Sequence, residues 1–385
     1  MSGVDFLERL LDGATIDWLR LGDVTQYEQP TKYLVAAKNY SDEFETPVLT
    51  AGKTFILGYT DEVEGIYKAS KAPVIIFDDF TTANKWVDFD FKVKSSAMKM
   101  ITSSDESKVL LKYIYYWLNT LPSELVAGDH KRQWIGTFAD KRIPIPCPEN
   151  SKKSLEIQAE IVHILDNFTE LTAELTAELT ARKKQYQYYR DQLLSFEGGK
   201  VEWKMLVELA ENLDSKRKPI TSGLRDAGNV PYYGASGIVD YVKDYIFDGD
   251  YLLISEDGAN LLARSTPIAF SVSGRCWVNN HAHVLKFETY AERRYVEYYL
   301  NSIDLAPYIS GAAQPKLNQK NLNAIKVPNP PLEEKERIVA ILDTFDTLIN
   351  SINEGLPREI ALRQNQYRHY RSLLLSFPKS EEVVV

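Results

Sequence analysis

The sequence predicts an α+β protein in which two globular domains are separated by two long antiparallel helices that form a coiled coil. The first observation is the stretch 152–196, which contains neither Gly nor Pro and is rich in good helix formers. The second is an internal repeat. IVHILDNF at 161–168 returns as IVAILDTF at 338–345, and QYQYYRDQLLSF at 185–196 returns as QYRHYRSLLLSF at 366–377. The order of globular segment and helix therefore occurs twice, which predicts a pseudo-twofold internal repeat.

The composition is that of a globular protein and argues against several classes. The 385 residues suffice for two or three domains, and the net charge of −9 argues against a nucleic-acid binder that works alone. Two cysteines, Cys147 and Cys276, lack a metal-binding spacing and favour a reduced compartment. The N-terminus has no signal-peptide core, and no apolar run is long enough to cross a membrane. We expect a cytoplasmic protein with no membrane partner.

Segments 1–150 and 201–331 are predicted to be the two globular domains, because they share short sequence blocks. The matching pairs are WLRL and WKML at 18–21 and 203–206, YIYYWLN and YVEYYLN at 113–119 and 295–301, and IPIP and IKVP at 143–146 and 325–328. A looser parallel joins PVLTAGKTFILGY at 47–59 to PYYGASGIVDYV at 231–242. The Pro-rich strips that close each segment predict an extended exit into the following helix.

Within each domain the residue pattern predicts both strands and a helix. We expect buried strands at 72–79 and 250–258, both ending in acidic turns, and an alternating exposed strand at 85–95. Helical periodicity with aromatic residues on one face is found at 109–121 and 293–303.

Segments 151–200 and 332–385 are predicted to be the helical spacers. In the first spacer, apolar residues three and four apart line one side of a helix: Ile157, Ile161, Ile164, Leu165, Phe168, Leu171, Leu175 and Leu179. The Thr-Ala-Glu-Leu unit at 172–175 repeats at 176–179, and such a strict period makes the apolar stripe coil around its partner. In the second spacer, Gly355 and Pro357 are expected to break or kink the helix.

No segment assembles a convincing catalytic centre. Asn329-Pro330-Pro331 approaches the turn of an adenine methyltransferase, but Leu332 follows it instead of an aromatic residue, and neither a Gly-rich cofactor loop nor a phosphate loop is present. Asp78-Asp79 and Glu256-Asp257 could hold a metal, although acidic turns that close strands are favoured. For His281-Ala282-His283 we favour surface exposure or base contact over a metal site.

Polar loops at matching places in the two domains are the better functional signal. Their Arg, Lys, Asn, Gln and His side chains can read base edges or grip phosphates, and their small residues permit close backbone approach. The candidates in the first domain are Thr50, Gly52, Lys53, Thr81, Thr82, Lys85, Lys92, Lys94, His130, Lys131, Arg132 and Gln133. Those in the second are Tyr233, Gly234, Ser236, Asp257, Asn260, Arg264, Asn279, Asn280, His281, Gln314 and Lys316.

The duplicated IVxILDxF and QYxxYRxxLLSF blocks, the Thr-Ala-Glu-Leu repeat and the Ile-Pro-x-Pro exits closely resemble the specificity subunit of type I restriction–modification systems, in particular the type IC family. The resemblance covers nearly the whole chain. It implies a non-catalytic subunit whose two target recognition domains each read one half of a bipartite site in double-stranded DNA. It also implies that the helices set the length of the spacer between the half-sites.

The same resemblance implies partners. Two methyltransferase (modification) subunits would supply S-adenosylmethionine and the adenine-methylating site, and up to two motor–endonuclease (restriction) subunits would supply ATP and Mg. This chain itself would bind no cofactor and no metal. Large side chains on the repeated helix tails exceed what a helix pair needs, and we expect them to bind these partners: Tyr186, Tyr189, Arg190, Leu193, Phe196, Tyr367, Tyr370, Arg371, Leu374 and Phe377. A protein-binding scaffold and a methyltransferase with its own recognition domains are the alternatives.

Overall fold

A computed structural model of the chain describes residues 9–11, 13–36, 40–50, 54–122, 133–196, 201–311 and 314–377. The chain divides into two units. Unit 1 comprises Met1–Leu175 together with Ile360–Val385, and unit 2 comprises Thr176–Glu359. Each unit thus contains one globular domain and parts of both helical spacers. Among the described residues, no helix has the length and apolar character needed to cross a membrane.

The globular part of unit 1 consists of three sheets and short helices. Its elements are β1 Ile16–Arg20, α1 Leu21–Val24, β2 Thr25–Glu28, β3 Thr46–Leu49, β4 Ile56–Thr60, β5 Val74–Asp78, β6 Asn84–Val87, β7 Lys92–Val93, β8 Met98–Ser103, α2 Leu111–Leu118, α3 Gln133–Gly136 and β9 Arg142–Pro146. The strand orders are β1-β9, β2-β8-β5-β6 and β4-β3-β7. The predicted strand at 72–79 and helix at 109–121 are therefore confirmed, whereas the segment 85–95 forms two short strands.

The long helix α4 spans Ser151–Leu193 and is followed by the globular part of unit 2. The elements of that part are β10 Glu202–Met205, α5 Leu206–Leu209, β11 Glu211–Asn212, β12 Ala227–Gly234, β13 Gly237–Val242, β14 Phe247–Ser255, α6 Asn260–Ala263, β15 Ala269–Val278, β16 Ala282–Lys286, α7 Tyr290–Ser302, α8 Gln319–Asn323 and β17 Lys326–Asn329. Its strand orders are β10-β17 and β11-β16-β14-β15-β12-β13. Thr289 caps α7, because its hydroxyl accepts a hydrogen bond from Glu292 N at 3.1 Å.

The two units share one topology. The order β2-β8-β5-β6 of unit 1 corresponds to β11-β16-β14-β15 of unit 2, and in both units a preceding hairpin adds through a parallel pairing. Leu49 of β3 lies beside Val93 of β7, just as Tyr233 of β12 lies beside Val278 of β15. The loose parallel in sequence is thus a structural equivalence over 47–49 and 231–233, and residues 51–53 lie outside the described ones. The predicted internal repeat holds at the level of strand register.

The second spacer is divided into two helices, α9 Leu332–Asn350 and α10 Gly355–Leu374, as the Gly and Pro residues predict. Gly355 has a φ of +70°, and a Cβ there would lie 2.4 Å from Thr347 O, so only glycine fits. Pro357 falls in the first turn of α10, where a missing backbone N–H is tolerated.

Apolar residues of the spacers belong to the domain cores. In unit 1, Ile161 and Leu165 of α4 are fully buried together with Leu374 at the end of α10. In unit 2, Ile338 and Leu342 of α9 are buried in the core that also contains α7. Each globular domain therefore packs directly on its helices, and the apolar stripe serves domain packing as well as helix pairing.

Candidate nucleic-acid interface

In unit 2, loops that are far apart in the sequence meet and are joined by backbone hydrogen bonds. Asn279 N donates to Tyr233 O at 3.0 Å, which joins the end of β15 to the end of β12. Glu256 N donates to His281 O at 2.9 Å, and Leu317 N donates to Glu256 O at 2.7 Å. The loops that follow β12, β14, β15 and α7 thus form one continuous surface, and it carries most of the candidates of this domain.

Unit 1 repeats this junction with different side chains. Lys94 N donates to Leu49 O at 2.9 Å, the counterpart of the bond between Asn279 and Tyr233. Gln133 N donates to Asp79 O at 2.8 Å, the counterpart of the bond between Leu317 and Glu256. Backbone geometry is therefore shared, while the side chains that the loops present differ between the units.

A buried pair of opposite charges lies beneath the loops of unit 1. Lys99 is opposite Phe77 in the β5–β8 pairing, and its ammonium lies 3.6 Å from the carboxylate of Asp79, with Lys99 0% and Asp79 2% exposed. The other carboxylate oxygen of Asp79 accepts a hydrogen bond from Trp134 N at 2.9 Å. The pair fixes the acidic end of β5 to the segment that carries Gln133.

Unit 2 has a larger charge cluster at the same place, and we call Asp214, Arg217, Glu256 and His283 the basal cluster. His283 is fully buried, and its Nδ1 lies 2.6 Å from Asp214 Oδ2. Arg217 donates to Glu256 Oε2 at 2.6 Å. Burial acts to raise the pKa of Glu256, but the hydrogen bond from Arg217, the proximity of His283 and the hydrogen bond from Lys316 outweigh it and lower that pKa. Glu256 is therefore ionised at neutral pH.

Sequence reasoning named Glu256 and His283 but missed Asp214 and Arg217 of the basal cluster, and it gave Lys99 of unit 1 no buried partner. Asp214 and Arg217 lie in a polar stretch with no counterpart in a known motif. The equivalence of the strands was the signal that could have found the basic partners of the acidic strand ends. Because β5 and β14 are equivalent, a basic side chain could have been sought on the strand that pairs with each of them, β8 or β16, near its acidic end.

The acidic turn after β5 has a structural role. The carboxylate of Asp78 accepts hydrogen bonds from Phe80 N at 2.9 Å and from Thr81 N at 3.2 Å, so it closes the strand as favoured. Across the described ranges, no three His, Cys, Asp or Glu residues are grouped as metal ligands would be.

Several candidates are exposed in these loops. In unit 1, Thr81 is exposed in the loop after β5 and Lys85 is exposed in β6, while Thr50, Lys94 and Gln133 are partly exposed. In unit 2, Ser236, Asn280, His281, Gln314 and Lys316 are exposed, whereas Asn279 is buried, contrary to expectation. His281 Nδ1 lies 2.8 Å from Asp257, and Lys316 Nζ lies 3.1 Å from Glu256. Gly52, Lys53, His130, Lys131 and Arg132 lie outside the described residues.

The structure gives other candidates an internal role. Lys92 is 4% exposed and forms an ion pair with Glu62 at 2.8 Å, so its charge is not offered to DNA, contrary to expectation. The guanidinium of Arg264 donates to the carbonyls of Leu300 and Ile303, which end α7. His283, expected at the surface, belongs to the basal cluster.

Three further candidates act mainly through the shape of their loops. The side chain of Asn260 holds Thr266 N and Thr266 O at 3.1 Å each, which closes the loop after α6. Thr82 is buried and has a φ of +61°. Gly234 leaves room for Asn279, whose amide nitrogen would lie 3.4 Å from a Cβ at that position. Tyr233 packs its ring against Phe270.

The helix tails use most of their large side chains inside the chain, and the partner surface expected there is reduced accordingly. Tyr370 stacks on Phe168 at 5.1 Å, and Tyr189 stacks on Phe345 at 5.8 Å. The remaining residues of that set are packed similarly: Leu374 and Phe377 are buried, Tyr186, Leu193, Phe196 and Tyr367 pack against the cores, and Arg190 and Arg371 lie over Tyr186 and Tyr367. Tyr188, which was not predicted, is the most exposed ring of the tails at 60%.

Comparison with known proteins gives consistent matches along the chain. The family model described as "Type I restriction modification DNA specificity domain" matches twice, at residues 15–182 and 200–362. The chain is 53% identical over 406 aligned positions to the Type I restriction enzyme EcoR124I/EcoR124II specificity subunit of Escherichia coli, with 100% of each chain covered. It is 41% identical to the EcoprrI specificity subunit of Escherichia coli, with 92% of this chain and 93% of that one covered.

Solved structures agree in fold. The S subunit of a type I restriction–modification system from M. genitalium superposes with a TM-score of 0.66 at 16% identity, covering 96% of this chain and 98% of that one. A chain from a structure of type I R-M complex assembly superposes with a TM-score of 0.56 at 17% identity, covering 94% of this chain and 98% of that one.

Proposed function

This chain belongs to the type I restriction–modification DNA specificity family, and we propose that its two units read the two halves of a bipartite site in double-stranded DNA. The chain is the specificity subunit of such a system: it carries two DNA recognition domains and is not itself catalytic. Family membership decides against both a protein-binding scaffold and a self-sufficient methyltransferase.

The observation that carries the half-site proposal is the repeated loop junction. Equivalent backbone hydrogen bonds join equivalent loops in the two units, yet the accessible side chains beside them differ, with Lys94 and Gln133 in unit 1 and Asn280 and Lys316 in unit 2. Side chains at base edges determine which sequence a protein recognises. Two domains with the same loop geometry but different hydrogen-bonding side chains are therefore suited to recognise two different base sequences. The exposed polar loop residues named above are the proposed contacts.

The experiment is a unit exchange. Residues 201–331 are replaced by the corresponding segment of another specificity subunit, and DNA from cells that express the hybrid with its modification partner is mapped for methylated adenines. We expect one half of the target to change and the other half to stay. As a matched control, residues 15–146 are exchanged instead, which should change the opposite half. A change in both halves after either exchange would contradict independent reading.

The partners proposed for this chain follow from its family. Two modification subunits would bind S-adenosylmethionine and methylate adenine, and up to two restriction subunits would use ATP and Mg, whereas this chain would hold none of these cofactors. Support for two modification subunits comes from the duplicated helix tails, where Tyr189 and Tyr370 occupy equivalent positions and remain partly exposed. Native mass spectrometry at saturating modification subunit should give two per chain, and a plateau at one would contradict this symmetry.

A further inference from the structure

In each recognition unit, a half-buried carboxylate of the helix accepts a hydrogen bond from the globular domain and forms an ion pair with it. In unit 2, Asp343 of α9 accepts hydrogen bonds from Arg294 Nη2 at 2.8 Å and from Tyr298 Oη at 2.6 Å, both on α7. Tyr290 Oη donates to the other oxygen of Asp343 at 2.7 Å. We call this arrangement the carboxylate clamp of unit 2.

Unit 1 contains the same arrangement on equivalent elements. Asp166 of α4 forms an ion pair with Lys112 Nζ at 3.0 Å and accepts a short hydrogen bond from Tyr116 Oη, both on α2. The two Asp residues occupy the same position in the repeated IVxILDxF block. In each unit the basic residue precedes the tyrosine by four positions, which places both on one face of the helix. An Asp, a basic residue and a Tyr thus occur at equivalent positions in both units, so the clamp is part of the internal repeat.

Stability alone does not explain these half-buried ionic contacts. An ion pair of this kind loses much of its attraction to desolvation, and apolar residues of similar volume would hold two helices together equally well. Hydrogen bonds differ from apolar contacts in being directional, so they fix an angle as well as a distance. Hydrogen bonds to the Asp can therefore fix the angle between a recognition domain and its helix, whereas an apolar contact cannot.

The carboxyl group of Asp343 is ionised, as expected of a hydrogen-bond acceptor for several donors. Burial acts to raise the pKa of Asp343, but the hydroxyl groups of Tyr298 and Tyr290 and the guanidinium of Arg294 outweigh it and lower that pKa. Asp343 is therefore an ionised acceptor at neutral pH. Glu297 forms an ion pair with Arg294 at 2.6 Å and holds the guanidinium from the other side.

We propose that Asp166 and Asp343 are positioning residues that fix the angle of each recognition unit on its own helix and thereby restrict the spacer lengths that the protein accepts. This inference rests on the proposed reading of a bipartite site. Both side chains lie at the contact between helix and domain, so they act on the distance between half-sites and leave the sequence of each half-site unchanged.

The two clamps differ in the number of residues that donate to the Asp and in their exposure to solvent. Asp343 has three donor residues, and the side chain of Arg294 is 13% exposed. Asp166 has two donor residues, and the side chain of Lys112 is 33% exposed, so solvent screens that pair more. Loss of the carboxylate should therefore matter more in unit 2 than in unit 1.

The test uses the full-length chain assembled with its modification subunit. After methylation mapping has defined the target, the wild type and the variants D343N, Y298F and D166N are given a plasmid library that carries both half-sites at every gap within three base pairs of the natural one. The readout is the relative methylation of each gap. R337Q serves as the matched control, since Arg337 pairs with Glu334 at 2.7 Å on the exposed face of the same helix α9 and does not reach the recognition domain.

We expect D343N to raise methylation at gaps one base pair shorter or longer by about tenfold relative to the natural gap, the factor that corresponds to ~1.4 kcal/mol. D166N should give a smaller increase, and R337Q should behave as the wild type. Y298F removes one hydroxyl and keeps the ion pair, so it decides the matter if D343N fails to fold.

Two results would overturn the inference while leaving the proposed function intact. One is an unchanged gap preference in folded D343N and Y298F. The other is a changed half-site sequence, which would show that the clamp acts through the reading loops. A wild-type protein that methylates no bipartite site would refute the proposed function itself, and this inference with it.

Discussion

Removal of the guanidinium of Arg217 from the basal cluster should destabilise unit 2 in a way that depends on pH. Arg217 Nη1 donates to Glu256 Oε2 at 2.6 Å and to Ala282 O at 2.8 Å, and Nη2 lies 3.4 Å from Asp214 Oδ2. The substitution R217M keeps most of the apolar stem and leaves two buried carboxylates with fewer partners. Breaking a buried pair from one side costs about 3–5 kcal/mol. Because His283 still faces both carboxylates, we expect the lower end of that range at pH 7.

The sign of the pH dependence follows from the pKa of Glu256. In the wild type that pKa is lowered, so the stability gained from its ionisation is fully present above the ordinary pKa of a glutamate and is lost only as the pH falls below ~4. In R217M the burial remains while the main opposing hydrogen bond is gone, so the folded-state pKa rises. The folded variant then takes up a proton as the pH falls, which relieves part of its deficit. The difference in unfolding free energy between wild type and variant should shrink between pH 7 and pH 5.

Hydrogen exchange with mass spectrometry can measure this locally, because peptides from β14 and β16 report on unit 2 without requiring two-state unfolding of the whole chain. The matched control is R275Q. Arg275 also lies in unit 2 and pairs with Asp248 at 3.3 Å, but both side chains are exposed, so its loss should cost at most about 1 kcal/mol with little pH dependence. A deficit in R217M that stays constant from pH 7 to pH 5 would refute the reasoning.

Two further predictions concern DNA binding and spacing. K85A should weaken binding to all sequences equally and reduce the salt slope by about one, because Lys85 is exposed at the start of β6. K92A should leave that slope unchanged in a filter-binding assay and instead destabilise unit 1, since Lys92 is buried against Glu62. Insertion of one more Thr-Ala-Glu-Leu after Leu179 adds ~6 Å of helix, and methylation mapping should show the same half-sites with a gap longer by about one base pair, whereas an unchanged gap would mean that the helix does not act as a ruler.

The elements that could be predicted from the sequence are those with a strong period or a repeat. The helical period of 152–196 predicted α4, and the duplicated blocks predicted two domains of one fold. The faint match between PVLTAGK and PYYGASG located equivalent hairpins, because strand register ties a short segment to one place in a sheet. The break near Gly355 could be predicted because glycine alone tolerates that backbone geometry.

The roles of single polar residues could not be predicted, because burial depends on contacts between distant segments. Lys92 and Lys94 are two positions apart, yet Lys92 is buried and Lys94 is partly exposed. Arg264 reads as a phosphate ligand in sequence, but it caps α7 from more than thirty positions away. The aromatic residues of the helix tails read as a surplus over what a helix pair needs, because the domain cores that receive them are not visible in the helical pattern.

The buried charges predict that a whole unit can be exchanged between such proteins more readily than a single loop. Asp79 follows β5 and Lys99 lies on β8 of unit 1, while Glu256 follows β14 and His283 lies on β16 at the equivalent places of unit 2. A loop moved alone would carry one member of its pair and leave the other behind, and an unpaired buried charge costs about 3–5 kcal/mol. A unit moved from its first strand to its last carries both members, its loop junction and the helix α2 or α7 that reaches the carboxylate clamp. The polar loops can therefore diverge within a unit only together with the charges beneath them, while the clamp to the spacer helix keeps its Asp and its Tyr in both units.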